Sequence, residues 1–393
     1  MRVRFGKLSA DEQRARARVV DAAERAFHEL RDGDPLRAAE QLQAIDARVD
    51  LSLSEIEEVD TGCVELSALE PSAWPLAELI LAQAPSDVGY ALSLGRAAVP
   101  LSRALAEVRA SHAVDLSRAT LRAGFGRGHL LELTLGVPGG AGSESEQNAA
   151  ENLVRAALGD RAFETWVGAV HAAPAPRMPS LRVLDVRARQ ASLTIDDLFA
   201  TVAAATNGLL EGLPDEPRLT PSLPPATSVD TPLANDTSQE EWTLLEVEPL
   251  AQDRGRRKDD LLLASTRTPE LLRCYLDGSP CASRRFSRVG EQFVFLSYAD
   301  DERTMKRRVA RRTAVEQALS ESVTGLGAVT GVGLGVKTTY VDLALGDLET
   351  GLVRLVATAR ELELPARSFV QFFDSELEEE WLSIWPDSRL DET

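Results

Sequence analysis

The chain is poor in the residues that build disulfide and metal chemistry. Its 393 residues include 3 cysteines and 4 histidines. Three thiols are too few for a disulfide scaffold, which points to a reducing cytoplasm. None of His28, His112, His129 and His171 lies three or four residues from another histidine or a cysteine. Cys274 and Cys281 have six residues between them. Neither pattern has zinc spacing, so no metal and no other cofactor is expected. Lysine is also scarce, a bias that suggests a GC-rich bacterial genome. No apolar run reaches the ~18 residues needed to cross a bilayer. The start, MRVRFGKLSADEQ, turns charged at once, unlike a secretory leader.

What is plentiful is acid. Asp and Glu number 62 against 43 Lys and Arg, for a net charge of −19. No large segment of the chain is basic, which disfavours nucleic-acid binding driven by counterion release. An acidic surface repels polyanions and attracts basic partners. At 44% hydrophobic residues the chain has enough apolar side chain to fill cores.

The segment 214–240 holds six prolines and many Ser and Thr, and reads as an exposed linker. Before it come a helical region, 1–127, and an α/β segment, 128–213. Ser9 and Glu12 have capping-box spacing. Val20, Ala23, Phe27 and Leu30 form one helical stripe, Gly33 ends it, and Asp34-Pro35 opens a second stripe of Ala38, Leu42, Ile45 and Val49. Further helices are expected over 86–98 and 101–112. A strand is expected over 129–135, then a helix capped by Ser143 and Glu146 and running to about Val170. A strand over 181–186 and a helix capped by Thr194 and Asp197 complete the segment.

Beyond the linker, 241–393 is expected to be one sheet domain. Strands are expected over 291–298, 327–336, 338–345 and 367–374, with helices over 300–323 and from Asp347 to Leu362. The order β-α-β-β-α-β is the ferredoxin-like pattern. The fold class is therefore α+β. Tyr340, Asp342 and Ala344 share one strand face. A last strand from Trp381 to Trp385 sets Trp381, Ser383 and Trp385 on one face.

Five motifs bear on chemistry. The run Phe293-Val294-Phe295-Leu296-Ser297-Tyr298-Ala299-Asp300-Asp301 resembles the opening strand of TIR domains over about ten residues. That resemblance implies a glutamate on a later helix acting on NAD, and no position here matches it. The glycines 325, 327, 331, 333 and 335 precede Lys337-Thr338, but Val336 interrupts a phosphate loop and a strand follows. Such glycines mark instead a bulged strand under close approach. There is no G-x-S-x-G, although basic neighbours would favour a Cys274 thiolate. Asp342 and Asp374 could converge from neighbouring strands to share a proton or a cation. Arg303, Lys306, Arg307, Arg308, Arg311 and Arg312 form a basic helix that could meet nucleic-acid phosphates.

The reading reached is a non-enzymatic bacterial binding or regulatory protein of the adaptor or immunity type. Its site would be Trp381 and Trp385 with Glu378, Glu379 and Glu380, docking another protein of basic character. A nucleotide-acting enzyme of TIR type and a nucleic-acid binder through the basic helix are the alternatives. No membrane partner is expected.

Overall fold

Ser9 and Glu12 close a capping box at the start of α1 (Ala10–Arg31): the Glu12 carboxylate accepts the Ser9 N–H at 2.7 Å and the Ser9 hydroxyl accepts the Glu12 N–H at 3.2 Å. The computed structural model describes residues 5, 8–55, 62–86, 89–175, 193–218, 242–247, 257–302 and 304–386. The protein is α+β and divides into two compact units, residues 16–210 and residues 1–15 together with 211–393. Among the described residues no helix is long and apolar enough to cross a membrane.

In the unit 16–210, α1 buries Ala23, Phe27 and Leu30 on the predicted stripe. Gly33, at φ +84°, turns the chain into α2 (Pro35–Gln43), where the Asp34 carboxylate accepts the Arg37 N–H at 3.1 Å. The second stripe does not continue as a helix. The helix stops at Gln43 and Val49 opens β1 (Val49–Glu55), antiparallel to β2 (Gly62–Ala68). After α3 (Trp74–Leu81) comes β3 (Ala91–Leu94), parallel to β2. The helix expected over 86–98 is therefore a short strand and its flanks. Gly95 ends it at φ +77°, under the Trp74 ring, where a Cβ would sit 2.8 Å from the indole.

The second sheet of this unit follows α4 (Leu101–His112). It contains β4 (Thr120–Phe125) and β5 (Leu131–Val137), an antiparallel pair. Ser143 and Glu146 form their capping box at the start of α5 (Glu144–Leu158). The predicted single helix to about Val170 breaks at Gly159, φ +79°, where a Cβ would lie 2.9 Å from the Ala98 nitrogen. The chain restarts as α6 (Asp160–Trp166) and β6 (Val167–Pro174), which runs parallel to β5. The expected strand over 181–186 lies outside the described residues. Next come β7 (Leu193–Thr194) and α7 (Leu198–Glu211), and the sheet order is β6-β5-β4-β7.

The other unit is built on a seven-stranded antiparallel sheet. Its elements are β8 (Thr243–Glu246), α8 (Arg257–Asp260), β9 (Leu261–Thr266), α9 (Pro269–Leu276), β10 (Gln292–Ala299), α10 (Met305–Ser322), β11 (Gly327–Gly335), β12 (Thr338–Leu345), α11 (Leu348–Glu361), β13 (Ser368–Phe372) and β14 (Trp381–Ser383). The strand order is β14-β13-β10-β12-β11-β9-β8. Period-two alternation splits the central strands between two cores. Val294, Leu296, Tyr298, Val341, Leu343 and Val370 pack under α10 and α11. Phe293, Phe295, Tyr340, Ala344 and Phe373 pack on the other face, under α9 and the segment carrying Cys281 and Phe286. Each fully buried Leu, Val or Phe contributes roughly 1.5–3 kcal/mol relative to exposure. The sheet is therefore the rigid platform of this unit. Most of the expected linker, 219–240, lies outside the described residues; Arg218 at its start is buried and pairs with Glu291.

Candidate functional site

The α9 face of the seven-stranded sheet gathers Arg257, Asp260, Arg285, Asp342 and Asp374, all buried. Arg257, on α8, enters fully buried and meets Asp342 of β12 with both prongs, Nη1 to Oδ1 at 2.6 Å and Nη2 to Oδ2 at 2.8 Å. Its guanidinium lies over the rings of Phe295, Tyr340 and Phe373, at 4.7, 4.9 and 5.3 Å from their centroids. Burial is the largest influence on this guanidinium, yet the Asp342 charge and hydrogen bond hold its pKa above the ordinary value. From the same helix, Asp260 accepts the Lys337 N–H at 2.9 Å and the Tyr340 hydroxyl at 2.8 Å.

Two glycines of β11, Gly331 and Gly335, leave room for these carboxylates. A Cβ on Gly331 would stand 2.6 Å from Asp342 Oδ2, and one on Gly335 would stand 1.8 Å from Asp260 Oδ2. Close approach, not phosphate binding, thus accounts for the motif. Asp342 and Asp374 do not converge through adjacent strands, because β10 separates β12 from β13.

Beyond α9 the chain turns at Gly278, φ +71°, and comes back along the end of β13. Here lies a second polar cluster. Asp374 accepts both the N–H and the hydroxyl of Ser283, while burial pushes its carboxyl up to about 6 against those bonds. Arg285, wholly buried, donates to the Pro280 carbonyl and comes within 3.7 Å of the Cys274 sulfur. Cys274 and Cys281 are free thiols. The Cys274 thiol is lowered first by its hydrogen bond with Cys281 and then by the Arg285 charge, against burial; Cys281 is pushed up by that same bond.

A small surface pocket opens beside this cluster, lined by Lys258, Tyr275, Cys281, Phe373, Ser375 and Glu378, among others. Its floor is aromatic and its mouth is charged, with Lys258 Nζ 3.7 Å from Glu378 Oε1. Glu378 is exposed and Glu379 half-buried, but Glu380 is 2% exposed and accepts the Phe5 N–H at 3.1 Å. The three glutamates are thus not one acidic surface.

The two tryptophans separate as well. The strand ends at Ser383, so alternation does not reach Trp385. Trp381 stands edge-on to Phe369 at 5.4 Å, whereas Trp385 packs with Leu382 and Ile384 on the α10/α11 side and donates from Nε1 to the Leu364 carbonyl at 2.8 Å.

The basic helix also divides. Arg303 lies outside the described residues, and Lys306 and Arg307 are exposed. Arg308 is buried, donating to Asp300 Oδ2 at 3.2 Å and the Gly335 carbonyl at 2.9 Å. Arg311 sits 5.8 Å from the Tyr298 ring centre, and Arg312 is buried. Among the described residues no group of three His, Cys, Asp or Glu side chains could hold a metal ion. Sequence reasoning missed Lys258, Tyr275 and Arg285; the only signals pointing here were the Cys274/Cys281 spacing and the nearby arginines. Compared with family models, curated proteins and solved structures, the chain matches none.

Proposed function

We propose that the C-terminal unit is a non-enzymatic binding module of a cytoplasmic bacterial protein, regulatory in role, that holds a basic segment of a protein partner. We read its βαββαβ core as a ferredoxin-like plait with added edge strands. One observation carries the binding role. An exposed carboxylate, Glu378, stands at the mouth of an aromatic-floored pocket beside the short edge strand β14. An arginine or lysine from a partner would lay its aliphatic stem on Tyr275 and its head against Glu378, competing with Lys258. Trp381, half-buried on the same strand edge, supplies apolar area next to that charge.

The buried carboxylates support the same reading. Asp260, Asp300, Asp342 and Asp374 are each engaged by neighbouring donors of the fold. Polar side chains so used hold strands and turns in place rather than meeting a substrate.

The test is a titration of a fluorescent Arg- and Lys-rich peptide into the full chain at low salt, read by anisotropy. Binding should weaken several-fold for Glu378→Gln/Glu379→Gln and for Trp381→Ala. Equal affinity for the wild type and both variants would overturn the assignment.

A further inference from the structure

We propose that Cys274 and Cys281 are a reactive dithiol, converted by a hydroperoxide into an intramolecular disulfide. The pair is built by the turn after α9. Cys274 lies in the last turn of that helix, and its carbonyl accepts the Ser279 N–H at 3.1 Å. Both thiols then point at one acceptor, the Ser279 carbonyl, at 3.7 Å from Cys274 and 3.5 Å from Cys281. Cys274 Sγ also lies 3.4 Å from the Pro280 carbonyl. A fixed positive charge, Arg285, approaches the Cys274 sulfur at 3.7 Å. A thiol beside a buried guanidinium, with a second thiol at the same carbonyl, favours a thiolate, the nucleophilic form. The acidic neighbour Asp277 opposes this more weakly than Arg285 favours it at Cys274.

Cys281 forms part of the wall of the pocket, so a hydroperoxide such as hydrogen peroxide approaches the pair from that side. Cys274 is wholly buried, so reaction at its sulfur requires a local opening of the turn. The Cys274 thiolate attacks one peroxide oxygen. A sulfur–oxygen bond forms, the oxygen–oxygen bond breaks, and the leaving hydroxide takes a proton from solvent to become water. Cys281 then attacks the resulting sulfenic sulfur. The disulfide forms, the sulfur–oxygen bond breaks, and a second water leaves with the Cys281 proton. Two thiols lose two electrons in all, and the peroxide gains them. Cys63, buried in the other unit, is an internal reference.

The dithiol chemistry stands apart from the binding role. Since Cys281 belongs to the pocket wall, however, oxidation would change the surface offered to a partner.

The experiment treats the full chain with stoichiometric hydrogen peroxide, blocks remaining thiols after unfolding and maps the peptides by mass spectrometry. The expected result is loss of two hydrogens across Cys274 and Cys281, reversed by dithiothreitol, at a rate about ten-fold or more above oxidation of Cys63. In Cys281→Ser, a dimedone adduct should appear on Cys274 instead. Both cysteines remaining fully alkylatable in the wild-type chain, or Cys63 oxidising as fast, would overturn the proposal whatever the variants do. Peptide binding measured in reduced protein is unaffected by either outcome.

Discussion

Arg257 and Asp342 meet beneath a glycine through one hydrogen bond, Nη2 to Oδ2, and a close ion-pair contact, Nη1 to Oδ1, with three aromatic rings around the guanidinium. A charge pair so deeply buried is costly to desolvate, and its geometry must be nearly ideal to hold. Here it pins α8 onto the sheet. Arg257→Ala strands the Asp342 carboxylate in the core and should cost about 3–5 kcal/mol, whereas the paired change Arg257→Leu/Asp342→Leu should recover most of that loss. Denaturant melts of the two variants compare these outcomes.

Gly331 and Gly335 should tolerate no side chain. Gly331→Ala sets a methyl 2.6 Å from Asp342 Oδ2 and Gly335→Ala sets one 1.8 Å from Asp260 Oδ2. Each should destabilise by about 1–3 kcal/mol or more. Gly208→Ala is the control: it lies inside α7 with nothing within 4 Å, and should stabilise its helix by about 0.5–1 kcal/mol. Thermal melts separate the two behaviours.

Glu316 faces the sheet from α10, and burial pushes its carboxyl up to about 7, with Arg312 opposing. A folded pKa above the unfolded 4.5 means that folding takes up a proton between those values. Stability therefore falls as pH rises from about 4.5 to about 7, with Asp374 adding the same sign up to about 6. Glu316→Gln imitates the protonated acid. It should match the wild type below about pH 4.5 and exceed it at pH 8 by about 1–3 kcal/mol. Melting temperatures across that range check both the sign and the window.

Glu380 and Glu378 should part company. Glu380→Gln weakens the acceptor of the Phe5 N–H and should lower stability while sparing peptide affinity; Glu378→Gln should do the reverse. Melting and anisotropy on the same two variants make the comparison.

Much of this layout was legible in the sequence where local chemistry is decisive. The capping pairs Ser9/Glu12, Ser143/Glu146 and Thr194/Asp197 all form, and Asp347 caps α11. Tyr340, Asp342 and Ala344 share the expected face because strand alternation is strict. What failed depended on distant neighbours. Val49 completes a helical stripe by spacing, but pairing with Ala68 makes it a strand residue. Gly159 is one residue in a long helical pattern, and only the nearby chain at Arg96–Ala98 explains the break. The basic helix reads as a uniform charged run when residues are merely counted. Placed on a helix, Arg308, Arg312, Glu316 and Ser320 recur every fourth residue and turn inward. The pocket was least visible, because its walls come from α8, α9, the turn after it and the end of β13.

The most direct test of the binding role is photo-crosslinking in the native cell from position 381, with an exposed position on α11, Val353, as control. The account predicts one discrete protein adduct from position 381, absent from Val353 and reduced when Glu378 is replaced by Gln. Identical adducts from both positions, or none from position 381, would contradict it.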